Sequence, residues 1–517
     1  MRKAATTAAA VVLAATGLAT GGISPATAAP GDLPGGTDST CFWYYGAFGG
    51  SPKTFNMAYP DAGARYWGAI FRRPPGSTLK IHGLYPHARY TSLISYDALG
   101  QIVDGLADYQ IDPDPGSTNP FRPGARRDGR SRSYTVTILD QQNLDPATGR
   151  TLFNKTNPRT NERHRNALYA RGDTPTFENV GGTTYEFQGF AVRVYIPDRG
   201  RDLRGGVPLP TPELILADGT RLTGQAACDA LDSQSKDRIA HGLGPRLPDP
   251  RALIIQPAVY QALRHPEKLA QPCNVLTPFA STCATAFTLP QALVQVPRQV
   301  ADPGTFPAKR VPEWRAQYDR RYLMQLWTGD NGPGANRKPV RAGGGGFFPN
   351  LHNNYVRAAL NRGLGKVVAL RGTMATTPHT YNRDPVMRAT QLRYQSFCMN
   401  EAVATTRVMD CVYDEEVPLS RGRRYVVVTS RKADRPRNAT ARCGVAWIEW
   451  SKRGDGAGDP NFGWIQIRNM LPAPGFNHAV QNTQVPGDEK RVMGRYLPKV
   501  TYYRDTRAFE KLGCPVG

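Results

Sequence analysis

Apolar and polar residues along this chain alternate in short runs and rarely recur at helical spacing. Leu79 to Ile81, Tyr90 to Tyr96, Tyr134 to Leu139 and Phe190 to Ile196 are alternating or β-branched, and clusters of Gly, Pro, Asp and Asn separate them. Successive side chains of a strand point to opposite faces, so such runs predict strands with one buried side. Strands at this density, without helical periodicity between them, predict antiparallel sandwiches or barrels.

The runs belong to a longer pattern. Tyr66-Trp67-Gly68-Ala69 through Arg73, Gly76, Leu79, Ile81 and Gly83 returns 289 positions later as Tyr355-Val356-Arg357-Ala358 through Arg362, Gly365, Val368, Leu370 and Gly372. Ala88-Arg89-Tyr90-Thr91-Ser92-Leu93 is matched by Leu392-Arg393-Tyr394-Gln395-Ser396-Phe397, and Arg132-Ser133-Tyr134-Thr135-Val136-Thr137 by Arg423-Arg424-Tyr425-Val426-Val427-Val428. Arg165-Asn166-Ala167 pairs with Arg437-Asn438-Ala439. Val192-Arg193-Val194-Tyr195-Ile196-Pro197 pairs with Ile467-Arg468-Asn469-Met470-Leu471-Pro472, 275 positions on. Collinear matches of this kind predict a duplicated domain, with Tyr66 superposing on Tyr355 and Arg193 on Arg468. The copies span roughly 41–232 and 346–510. Between them, Trp314 to Trp327 carries apolar residues at three- and four-residue steps behind Pro312-Glu313, which predicts a helix. A shorter helix is expected near Ala258 to Arg264, and Gly329 to Gly346 reads as a flexible connector, with a loop that closes over a ligand as the alternative.

Arg89-Tyr90-Thr91-Ser92-Leu93 followed by Asp97, Asp112-Pro113-Asp114-Pro115-Gly116-Ser117 leading to Asn119-Pro120-Phe121, and Arg193-Val194-Tyr195-Ile196-Pro197 resemble an uncharacterised all-β domain of bacterial envelope and secreted proteins, here present twice. The resemblance implies a jelly-roll-like sandwich working in the cell envelope or the medium. It brings neither a reaction nor catalytic residues.

Composition narrows the setting. Met1-Arg2-Lys3, a run of Ala, Val, Leu and Thr, and Ala26-Thr27-Ala28 read as a secretory leader over 1–28 that is too short for a permanent anchor. Gly and Pro, 52 and 44 of 517 residues, stay below the ~25–30% of a disordered chain. All eight cysteines follow the leader, which in an oxidising compartment points to as many as four disulfides. None forms a CxxC, so zinc-ribbon and thioredoxin chemistry are unsupported. Cys398 and Cys411 close two β-like runs, Leu392 to Met399 and Val408 to Val412, as a cross-strand staple would. Cys273 and Cys283 flank a short loop and form a second local candidate. Cys41, Cys228, Cys443 and Cys514 permit three connectivities.

No GxSxG, HExxH or GxxxxGK[ST] occurs, and no His-x-His pair lies on a strand, so no nucleotide cofactor is expected. His82 and His87 flank the first copy's Gly83, and His379 follows the equivalent Gly372. Carboxylates gather after each Arg-Tyr block: Asp97, Asp104, Asp108, Asp112 and Asp114 in one copy, and Asp410, Asp414, Glu415 and Glu416 in the other. Such oxygen-rich loops suit calcium or glycosidase acid–base work. His82, His87, Asp97, His379 and Asp410 are therefore the candidate catalytic set. Arg89, Tyr90, Arg393 and Tyr394 are candidate ligand contacts, although their retention in both copies favours buried ion pairs inside each lobe. The net charge of +23, or +21 without the leader, favours an anionic extracellular polymer, with a neutral polymer or small molecule as other partners. No aromatic-basic motif marks specific nucleic-acid binding, and no membrane span follows the leader.

These features predict a mainly β protein of two tandem jelly-roll-like antiparallel β-sandwiches. The first occupies 29–232, a helical and loop insert 233–345, and the second 346–517. The function expected is a secreted enzyme acting on a carbohydrate or other polar polymer in an inter-lobe cleft; the alternative is a non-catalytic envelope protein that binds polysaccharide.

Overall fold

A computed structural model describes residues 40–50, 56, 58–96, 102–139, 166–170, 177–178, 184–185, 188–233, 308–316, 348–402, 405–485 and 487–516. The leader, Asp97, Arg165, the 258–264 segment, Cys273, Cys283, and the 317–327 and 329–346 segments lie outside these residues.

The first lobe is built from β1 (Tyr45–Phe48), β2 (Ala64–Phe71), β3 (Thr78–Leu84), β4 (Ala88–Tyr96), β5 (Ile102–Ala107), β6 (Ser133–Leu139) and β7 (Ala167–Tyr169), with a two-stranded ladder of β8 (Phe177–Glu178) and β9 (Thr184–Tyr185). It is completed by β10 (Gln188–Pro197), β11 (Thr211–Ile215) and β12 (Arg221–Thr223). The second holds β13 (Trp314–Ala316), β14 (Asn353–Asn361), β15 (Val367–Thr373), β16 (Leu392–Asn400), β17 (Val408–Tyr413), β18 (Arg424–Ser430), β19 (Val445–Glu449), β20 (Phe462–Pro472) and β21 (Lys499–Tyr503).

Each lobe is a sandwich of two sheets, ordered β1-β2-β10-β4-β5 and β12-β11-β3-β6-β7 in the first, and β13-β14-β20-β16-β17 and β19-β18-β15-β21 in the second. Pairings are antiparallel except β6 with β7 and β18 with β19, which are parallel in the same place of each lobe. Between the sheets of the first lobe lie Trp67, Phe71, Ile81, Leu93, Val136 and Phe190. Val356, Leu370, Phe397, Val427 and Ile467 fill the same layer of the second. Burial of these alternating apolar faces is what makes the strand pattern legible.

The duplication holds at the level of register. Arg193 lies opposite Tyr66 on one side and Ser92 on the other, and Arg468 lies opposite Tyr355 and Ser396. Gly83 sits across from Tyr134 and Gly372 across from Tyr425. In both copies a Cβ on the glycine would run into the tyrosine side chain, at 2.3 Å from the Tyr134 ring and 2.7 Å from the Tyr425 hydroxyl, so the repeated glycine is the seat of a repeated aromatic residue.

Three expectations are corrected. Trp314 to Ala316 is not the start of a helix but an edge strand on β14, with Trp314 and Ala316 buried and Arg315 turned outward beside Glu313. Alternate burial over three residues is a strand's signature, and the second lobe accordingly begins before residue 346. Ala439 is not equivalent to Ala167, which opens β7: Ala439 precedes β19, the strand that matches β7. The third concerns where Arg89 and Arg393 find their partners, described below.

Cys398 and Cys411 are register neighbours on β16 and β17 and form the expected disulfide, with Cα atoms 4.1 Å apart. Cys41–Cys228 and Cys443–Cys514 tie the beginning and end of the two lobes to their own domains. No helix among the described residues is long and apolar enough to cross a membrane.

The copies differ most between the third and fourth core strands. In the first lobe residues 85–87 join β3 to β4, whereas in the second residues 374–391 join β15 to β16. This longer segment is an arm laid on the first lobe. Gly124 donates to Met387, Met387 to Ala125 and Arg127 to Pro385 through backbone atoms, and the Met387 side chain is buried in the first lobe's core.

Candidate functional site

The two lobes meet through the sheets that contain β4 and β16, and the meeting is reciprocal. Arg89 of the first lobe bonds Asp414 of the second through two contacts of 2.8 and 3.0 Å and also contacts Glu415, all three fully buried. Arg393 of the second lobe bonds Asp108 of the first at 3.2 Å. Each arginine also donates to the backbone carbonyl of the other. Asp108 and Asp414 occupy the same position, one residue beyond β5 and β17, and each accepts from the backbone amide that follows the motif tyrosine, Thr91 or Gln395. Each arginine thus pairs across the junction and not within its own lobe.

The motif tyrosines cross the junction in the same way. Tyr394 donates to Asp61 at 2.8 Å and Tyr90 to Asn350 at 3.1 Å, and Asp61 and Asn350 are equivalent positions before β2 and β14. Their side chains also cap the following turn, accepting from the amides of Gly63 and His352. Ala64, Tyr90, Ala107, Tyr195 and Ile196 of one lobe pack with Tyr394, Tyr413 and Met470 of the other. The surfaces are self-complementary, as in a two-fold homodimer. Arg89, Tyr90 and Tyr394 are buried, and Arg393 is nearly so. None of the four is open to a ligand.

Burial sets the charge states here. Asp108 is pushed up to about 6 by burial, against the pull of Arg393 and two backbone amides. Asp414 is likewise raised by burial, with Arg89 opposing.

The four described members of the candidate catalytic set do not assemble. His82 lies on β3, in the first lobe's other sheet, between Glu213 at 2.8 Å and Thr135 at 3.1 Å. His87 rests against Arg132, and burial followed by the fields of Arg132, Arg201 and Arg127 lowers its pKa to about 4. Asp410, on β17, accepts from the amides of Cys411 and Glu449 and is raised by its burial. His379 lies on the arm and is exposed. None of these four bonds another.

The carboxylates gathered as calcium ligands are engaged separately: Asp104 by the amides of Gly105 and Tyr169, Asp112 by Arg122, and Asp108, Asp414 and Glu415 by the crossing arginines. Among the described residues the one group with metal-ligand reach is Asp61, Cys398 and Cys411, and both sulfurs are held in the disulfide.

What the fold does build is a pocket at the base of the arm. A cavity of about 450 Å³ is lined by Thr376, Thr377, His379, Asn382, Asp384, Arg388, Thr390 and Arg423. Arg423 is fixed by the carbonyls of Met374 and Ala375, and Asp384 by Arg388 at 2.9 Å. Beside the pocket, Arg199 and Arg383 join arm to lobe and are exposed, as is Arg201. Of its lining only His379 belonged to the sequence-derived set. One signal did mark the arm: the offset between copies steps from 289 at Tyr66 and Tyr355 to 304 at Arg89 and Arg393, the length by which this connection is extended.

No family model and no curated protein matches this chain. Among solved structures it is similar to an uncharacterised protein from Burkholderia cenocepacia, with 11% identity and a TM-score of 0.36 over 82% of this chain and 78% of that one. It is also similar to the VPA0106 protein from Vibrio parahaemolyticus, with 10% identity and a TM-score of 0.31 over 86% of this chain and 91% of that one. Neither likeness carries an argument about function.

Proposed function

We propose that this is a secreted, non-catalytic protein that binds an anionic extracellular polymer, with the pocket at the base of the arm receiving part of the polymer chain. The observation that carries the reading is the pocket's lining: three threonines, an amide, an imidazole, two guanidinium groups and a single carboxylate, with no large apolar side chain. Such a wall offers hydrogen bonds to hydroxyls and charge to acidic groups, and little to an apolar ligand. Exposed Arg199, Arg201 and Arg383 continue the positive surface outside it, in a chain with 65 basic and 42 acidic residues. Hydrolysis in an inter-lobe cleft has less support. The junction is filled with buried side chains, and the pocket's one carboxylate, Asp384, is already paired, where glycoside hydrolysis takes two.

The test is affinity electrophoresis and calorimetry of the full chain with acidic and neutral polysaccharides, comparing wild type with Arg388→Ala and His379→Ala. Acidic polymer should bind more tightly, and the Arg388 variant should weaken it at least ~10-fold without new reducing ends appearing. Equal binding by wild type and both variants removes the pocket from the reading. Reducing-end release that His379→Ala abolishes replaces binding with catalysis.

A further inference from the structure

The reciprocal junction is broken in one place. In one half Asp61 completes a polar knot: its Oδ1 accepts from Tyr394 and the Gly63 amide, and its Oδ2 accepts from the Ser396 hydroxyl at 2.7 Å and pairs with the buried Arg468 guanidinium. In the other half the equivalent groups are Asn350, Tyr90, His352, Ser92 and Arg193. The Tyr90 hydroxyl and the His352 amide both donate to the Asn350 Oδ1, which fixes the side-chain amide's orientation. Its Nδ2 then stands where Asp61 carries an acceptor oxygen.

That exchange removes a negative charge and, with it, the acceptor oxygen that faces the arginine. Asn350, Ser92 and Arg193 are 3%, 1% and 2% exposed. The Asn350 Nδ2 and one terminal nitrogen of Arg193 have no hydrogen-bond partner. The other terminal nitrogen of Arg193 reaches the Tyr96 hydroxyl and the Phe348 and Pro349 carbonyls. The rings of Tyr66 and Tyr96 lie 5.7 and 5.5 Å from its guanidinium carbon. A guanidinium buried against phenols and carbonyls, with no carboxylate among these contacts, requires a counter-charge.

We infer that a small monovalent anion of chloride size is held between Arg193 and Asn350, supplying the counter-charge that the Asp61 carboxylate gives to Arg468 in the other half of the molecule. Both free groups are donors, the site is buried, and one of them is charged. That combination takes a halide in preference to a cation or an apolar group. The anion completes the junction electrostatically, so the packing of the two lobes depends on halide concentration.

The test uses the full chain exchanged into sodium gluconate, with the melting temperature followed as chloride or bromide replaces gluconate at constant ionic strength. The melting temperature should rise by several degrees and saturate, because an occupant that binds only the folded state stabilises it by mass action. Asn350→Asp places the missing carboxylate in the protein and should melt at the halide-saturated temperature with no further response. A wild-type melting temperature indifferent to halide, as expected if a water fills the site, overturns the inference, and so does an Asn350→Asp variant that keeps the full response. Should that variant fail to fold, crystals of the wild type in bromide decide: an anomalous peak between Arg193 and Asn350 supports the site, and its absence at saturating bromide refutes it.

Discussion

Replacing Arg89 by Met leaves the Asp414 and Glu415 carboxylates facing each other at the centre of the molecule. Arg89 and Asp414 are 0% exposed and Glu415 1%, so solvent does not screen the loss. Glu415 retains the amides of Tyr381 and Asn382 and the Asn382 side chain, whereas Asp414 retains only the Gln395 amide. Removing one partner of a buried pair costs about 3–5 kcal/mol. For a lobe of 150–250 residues each kcal/mol is worth ~2–4 °C, so roughly 6–20 °C of melting temperature is at stake. The loss has a predicted pH dependence. Asp414 is already raised by burial with Arg89 opposing, and without Arg89 it rises further. A folded-state pKa above the unfolded one contributes stability at low pH that is lost as pH rises through it. Thermal unfolding should therefore show a larger deficit for Arg89→Met at pH 8 than at pH 5. Arg89→Met combined with Asp414→Asn should recover a substantial part of it, because no uncompensated charge then remains at that position. A drop below ~2 °C in the single variant, or a double variant no better than the single, would refute the cross-lobe pairing.

Two further outcomes follow from the same geometry. Met387→Ala deletes a second-lobe side chain from the first lobe's core and should cost about 2–5 kcal/mol; hydrogen exchange should accelerate in β3 and β6, and unchanged protection there would show that the arm carries no stability. His87, held down to about 4 by burial and neighbouring arginines, stays neutral in the fold while the unfolded chain takes up a proton near 6.5. Stability is therefore lost as pH falls through that window, and His87→Gln should flatten this part of the melting-temperature profile; parallel profiles for the two proteins would exclude it.

The strands, the duplication and the Cys398–Cys411 staple were legible because each leaves a local trace: alternation for a half-buried strand, an aromatic ring matched to a glycine, two cysteines closing two runs. The pairing of Arg89 and Arg393 left no such trace. Both copies keep the arginine and the aspartate, so each lobe contains a complete pair in sequence, and whether the pair closes within or across depends on which sheets meet. Trp314 was misread because three residues of strand precede a longer stretch with helical spacing, and that spacing set the expectation for the strand too. The arm was visible only as a step in offset between successive blocks, a signal about length that identifies neither Met387 nor the lining of the pocket. The candidate catalytic histidines and aspartates were gathered by proximity in sequence to repeated glycines and turns, and strands carry such neighbours to different sheets.

Joining two self-complementary partners in one polypeptide changes what substitution can do to them. In a dimer of identical chains every altered residue appears twice about the axis, so a charge removed from one side is removed from the other, and a segment lengthened to embrace a neighbour meets its own image. A single gene encoding both partners lifts that constraint. Asp61 keeps its carboxylate while Asn350 has none, and residues 374–391 extend over the first lobe while their three-residue counterpart, 85–87, stays short. Differences of this kind are closed to a dimer of identical chains, and they give the molecule a front and a back that its architecture alone does not possess.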